Sequence, residues 1–140
     1  MKKAVILSIR GRQSYAEQEP EEIELVTEGT LESSENGYVL CYEESDLTGL
    51  DGVKTTFLIQ DDGVTLIRDG KLKSYMKFHK GVTHDSLYQT EFGALMLTVC
   101  ATKVEASVSD DGGVVDLVYN VEIEHNSAGV IEYRMDIKMK

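Results

Sequence analysis

The sequence predicts an all-β fold, an antiparallel up-and-down barrel of about eight to ten strands forming one domain over residues 1–140. Three observations predict it. Apolar residues recur with period two almost throughout, glycine-containing turn signals interrupt them at short intervals, and no segment carries a sustained helical period. A chain of 140 residues with 41% hydrophobic content is long enough to enclose one core and too short for two ordinary domains.

The elements follow in chain order. The start, MKKAVILSIR, has too short an apolar run for a signal-peptide core and lacks a small-residue cleavage site, so residues 2–10 read as a first strand. SYAEQEPEE, residues 14–22, is the one segment with helical character, and Pro20 limits it to about a turn. Strands are expected near 22–34, 37–44, 53–60 and 63–68. In KLKSYMKFHK, Leu72, Ser74, Met76 and Phe78 share one face and Lys71, Lys73, Tyr75, Lys77 and His79 the other. Further strands are expected near 84–90 and 94–108. In VVDLVYNVEIE, Val115, Leu117, Tyr119, Val121 and Ile123 oppose Asp116, Asn120, Glu122 and Glu124. In VIEYRMDIKMK, Ile131, Tyr133, Met135, Ile137 and Met139 oppose a wholly charged face. These are half-buried strands, and the turns between them fall at DDG (61–63), RDGK (68–71), HKG (79–81), EFG (91–93), DDGG (110–113) and NSAG (126–129). An open meander of this length would expose two edges, which closure removes; a two-sheet sandwich is the alternative, weakened by the short hairpins.

Charge is distributed regionally. Residues 13–52 hold twelve carboxylates and no Lys or Arg, residues 1–12 carry +4, residues 53–80 carry +3, and the whole chain carries −11. Cross-strand pairing between these segments is the simpler account; an acidic surface that docks a basic protein partner is the sharper one. The net charge argues against nucleic-acid binding, and no apolar run approaches the ~20 residues of a membrane helix. Cys41 and Cys100 read as reduced, buried small hydrophobes in a cytoplasmic protein, with no zinc-ligand spacing around either. No metal and no cofactor is implied, and oligomeric state is not encoded in any visible pattern.

Several stretches resemble a known family. YVLCYEESDLTGLDGVKTTF, TLIRDGKLKSYMKFHKG and YQTEFGALMLTVCATKV are similar to the YwiB-like family of small bacterial proteins of unknown function. The resemblance is carried by Tyr42, Glu43, Glu44, Thr48, Gly49, Gly52, Thr55, Arg68, Gly70, Phe78, Gly81, Tyr88, Thr90, Gly93 and Thr102. It implies a lipocalin-like, calycin-type barrel and supplies no activity. Where the family has a Pro-Tyr pair between the last Thr and Gly of its EFG-equivalent turn, this chain has Glu91 and Phe92.

Candidate chemistry is sparse. The acidic stretch ESDLTGLDG, residues 44–52, lacks the closing bidentate Glu of a calcium loop and reads as a strand connection, with a loop at the barrel mouth as the functional alternative. Arg68 is the most suggestive residue. If Val64 and Leu66 point inward, alternation sends Arg68 inward too, where a guanidinium needs an acidic partner or an anionic ligand; a rim position is the structural alternative. Its carboxylate partner would be Glu43 or Glu44. With Tyr38, Tyr42, Tyr88 and Tyr119 as donors, Arg68 could hold the head of a small amphipathic or anionic molecule. His84, Asp85 and Ser86 cannot form a relay, because Asp85 points away from the other two. No catalytic motif is present, so an enzyme is unsupported. Two readings follow: a ligand-binding barrel, and a filled barrel acting as a protein-interaction module through its charged surface. The interior stripe of Tyr38, Leu40, Phe57, Leu66, Met76, Phe78, Leu97, Tyr119 and Met135 favours a mostly filled barrel with at most a small pocket at one end.

Overall fold

A computed structural model describes residues 2–14, 19–44, 52–61, 63–90 and 93–140. Ten strands follow one another: β1 (Lys2–Ser14), β2 (Glu21–Ser34), β3 (Gly37–Glu43), β4 (Lys54–Gln60), β5 (Gly63–Asp69), β6 (Leu72–Phe78), β7 (Thr83–Thr90), β8 (Gly93–Ser109), β9 (Gly112–Ile123) and β10 (Asn126–Met139). Each is hydrogen-bonded to its sequence neighbours, and β1 meets β10 to close the barrel. The closing seam is a continuous antiparallel ladder from Val5↔Met139 to Ser14↔Val130, so no sheet margin is left between first and last strands.

The period-two pattern explains the interior. Val5, Leu7, Leu40, Phe57, Val64, Phe78, Val115, Leu117 and Met135 are buried almost completely, and all occupy inward positions. Gly29, on the inward face of β2, is required by packing. A Cβ there would sit 2.6 Å from the Cys41 carbonyl oxygen and 3.1 Å from a Leu7 methyl. The outward positions carry the charge. Arg10 pairs with Glu24 at 3.3 Å and Lys140 with Glu28 at 2.8 Å, while Arg12 lies near both Glu22 and Glu132. The basic first strand and part of the acidic segment thus satisfy one another across the β1–β2 ladder.

Of the 14–22 segment, Ser14 ends β1 and Glu21 opens β2, and residues 15–18, where the helical turn would fall, lie outside the described residues. Three expectations are corrected. The NSAG stretch lies inside β10 and forms a bulge at Ser127/Gly129; the turn itself is Glu124–His125, both left-handed with φ of 50° and 68°. Cys41 and Cys100 are free but half-buried on outward positions, and Cys41 Sγ lies 3.5 Å from Thr56 Oγ1. β6 and β7 register only at Leu72↔Thr90 and Lys73↔Gln89. Beyond that the Lys77 N–H donates to His84 Nδ1 at 3.4 Å, so a side chain stands where a ladder rung is expected.

Candidate functional site

The barrel interior is packed at its middle, with a cavity on one side of the packed layer and a more open groove at the opposite end. In the packed layer Phe57 stacks on Tyr42 and tilts against Tyr133, with ring centroids 6.4 and 5.7 Å apart, and Phe78 packs on Tyr119 at 4.6 Å. Above this aromatic floor lies a cavity of about 500 Å³. Its apolar wall comes from inward positions of β1, β2, β8, β9 and β10, including Ile9, Leu25, Leu97, Val121 and Ile131. Half-exposed Ile23 and Leu95 lie toward the open end, near the described ends of β1, β2, β7 and β8 and the β9–β10 turn. The volume is within the range of small-molecule sites and exceeds the small pocket expected from the size of the interior side chains.

The polar groups gather at the inner end. Arg68, inward on β5, pairs across the ladder with Thr55 on β4 and Ser74 on β6. Its Nε lies 3.9 Å from Glu44 Oε2, near enough for ion pairing and too far for a hydrogen bond. Among the described residues that Nε is buried without a hydrogen-bond partner, as is the Ser74 hydroxyl beside it. Glu44 continues the inward row of Leu40 and Tyr42, and its backbone N–H donates to the Val53 carbonyl at 2.8 Å, which fixes it one rung beyond β3. Its side chain is only 2% exposed, and the Thr55 hydroxyl donates to Oε2 at 2.7 Å. Glu43 points outward opposite Lys54, so Glu44 is the partner that spacing left open.

Phenols complete the floor. The Tyr42 and Tyr133 hydroxyls lie 3.5 Å apart. Burial, and then the Glu44 charge, pushes Tyr42 up to about 12; burial alone pushes Tyr119 up to about 12, against a small opposing pull from Arg68. Burial also raises Tyr133 well above the ordinary phenol value, with Tyr42 adding to the shift. All three are neutral donors at any physiological pH.

The structure brings together four of the five candidate residues: Arg68, Tyr42, Tyr88 and Tyr119 all line the cavity. Tyr38 does not. It lies at the opposite end, on a separate groove between β8 and the β4–β5 hairpin, and its hydroxyl donates to Asp110 Oδ1 at 3.1 Å. The cause is strand direction: Tyr38 and Tyr42 share a face of β3 but stand at opposite ends of the strand. Sequence reasoning missed Tyr133 as a site residue, although its place between Ile131 and Met135 put it on the inward face. The 44–52 connection flanks the cavity at Glu44, while residues 45–51 lie outside the described residues. Asp85, which points outward, accepts the Thr98 hydroxyl at 2.7 Å, and no relay with His84 and Ser86 forms.

The comparisons with known proteins agree with this architecture. A family model described as a domain of unknown function, DUF1934, matches residues 7–137. The uncharacterised β-barrel protein YwiB of Bacillus subtilis (strain 168) is 27% identical over 104 residues, covering 74% of this chain and 71% of that protein. The crystal structure of the B. subtilis ywiB protein superposes with a TM-score of 0.87 at 19% identity, over 99% of this chain and 93% of that one, a likeness of fold. With nearly the whole chain matched and the barrel shared, the protein belongs to the DUF1934 family of YwiB-like β-barrels.

Proposed function

We propose that this protein is a binding protein that holds a small amphipathic molecule in the cavity of the barrel. The apolar body lies against Ile9, Leu25, Leu97, Val121 and Ile131, and the polar head rests on Arg68 and the phenols of Tyr42, Tyr88, Tyr119 and Tyr133. One observation carries the reading: at the inner end of an apolar cavity, Arg68 Nε is buried without a hydrogen bond among the described residues. An orphaned buried donor costs about 1–3 kcal/mol, more when charged, and an acceptor oxygen on a ligand would remove that cost. A filled interaction module draws less support, because many outward charges on β1, β2, β9 and β10 pair with one another.

A thermal-shift panel of medium-chain fatty acids, fatty alcohols and phosphorylated metabolites tests the proposal. A ligand at ~100 times its Kd stabilises by roughly 2.7 kcal/mol, which for this size is a rise of about 6–10 °C in Tm. Amphipathic compounds are expected to give such a rise in the native protein and little in Arg68→Met. No shift across the panel would contradict the proposal.

A further inference from the structure

The polar end of the cavity is electrically balanced, and from that balance we infer that it accepts only a head group without net charge: a carboxylic acid enters with one proton, and Glu44 sets this rule. The inference rests on the ligand-binding reading above. Among the described residues lining the cavity, Arg68 is the one cation, and Glu44 already sits against it with Oε2 at 3.9 Å from Nε. The Thr55 hydroxyl holds Glu44 in place at 2.7 Å. The other titratable groups around the cavity are the phenols of Tyr42 on β3, Tyr88 on β7, Tyr119 on β9 and Tyr133 on β10, and Glu21 of β2, which is exposed. None of them supplies a second positive charge.

A ligand carboxylate reaching the free Arg68 donor would therefore share one guanidinium with Glu44 in a poorly solvated site. Two carboxylates so placed cannot both remain ionised. One proton from solvent, held between a ligand oxygen and a Glu44 oxygen, leaves the pair with a single negative charge that Arg68 balances. No other bond forms or breaks. An alcohol needs no proton, because its oxygen accepts from Arg68 and its hydroxyl hydrogen is donated to Glu44. A phosphate monoester, carrying about −1.5 to −2 at neutral pH, would need more than one proton and is rejected.

Calorimetric titration of the full chain with octanoic acid and with octanol tests this. In two buffers of different ionisation enthalpy near pH 7, octanoic acid is expected to bind with uptake of close to one proton, its affinity falling about tenfold per pH unit above neutrality, while octanol affinity stays level. In Glu44→Gln, proton uptake should disappear and octanoate affinity should rise at least tenfold. The wild-type buffer comparison stands by itself if that variant does not fold. Octanoate binding to the native protein with no proton uptake would overturn the inference and leave the ligand-binding reading intact. Failure of both probes to bind would overturn both.

Discussion

Glu44 is held where a carboxylate is costly, and its neighbours show how the cost is met. The side chain is 2% exposed, accepts the Thr55 hydroxyl and lies against Arg68, whose own side chain keeps 21% exposure. Removing the cation as Arg68→Met should destabilise by about 2–3 kcal/mol in urea unfolding, below the roughly 3–5 kcal/mol of a fully buried pair because Arg68 is partly solvated. Thr55→Val removes a hydrogen bond to a charged group and should cost about 1.5–3 kcal/mol by the same measurement. The tyrosines give a third test. Tyr42 and Tyr119 are raised in the folded state to about 12 from 10.0, so their contribution is complete below pH 10 and is lost as pH rises toward 12. An absorbance titration should show these phenols ionising together with alkaline unfolding, after the exposed ones. Much of this site was legible. Alternation through Leu40, Tyr42 and Glu44 predicts Glu44 inside and Glu43 outside once Tyr42 is placed inward. Tyr38 obeys the same alternation, and only its distance along β3 separates it from the site.

At the level of the strand, hydrophobic periodicity placed nearly every element, because one wet face and one dry face leave an antiparallel strand little choice of register. The failures were in the connections. Asn126 to Gly129 has turn chemistry, yet the chain turns two residues earlier, at Glu124 and His125. Long-range contacts hold that turn: the Glu124 N–H donates to the Met96 carbonyl and its carboxylate accepts the Met96 N–H, both at 2.9 Å. Such contacts from β8 have no local signal. His125 is exposed and left-handed, so His125→Gly should stabilise by about 0.5–1 kcal/mol, the relief of backbone strain being partly offset by chain entropy. Gly29→Ala should do the opposite. Its Cβ meets backbone at 2.6 Å, and overpacking of this kind costs about 1–3 kcal/mol in chemical unfolding. The outward ion pairs of β1 and β2 count for less, since Arg10 and Glu24 are 70% and 71% exposed; pairs of this kind contribute about 0.2–1 kcal/mol and fade with salt.

For the molecule as a whole, closure and hollowness have different origins. Closure follows from ten consecutive strands with one apolar face each, and period, turns and edge avoidance all pointed to it. Hollowness does not follow from pattern. The large interior residues are unevenly distributed: Leu40, Phe57, Phe78 and Met135 are buried away from the cavity, while only Met76, Leu97 and Tyr119 of the predicted stripe reach it. A composition that would fill a barrel uniformly instead leaves about 500 Å³ above an aromatic floor. Which level a side chain occupies depends on register around the barrel, which no single strand reveals. The cavity gives the acidic, outwardly paired surface a secondary place in the account and puts Arg68 at its centre. Native mass spectrometry of the protein purified from its own source tests that centre most directly. The account predicts the chain mass plus a small molecule that organic extraction releases and that Arg68→Met purified in parallel lacks. A bare chain from both preparations, with nothing in the extract, would contradict it.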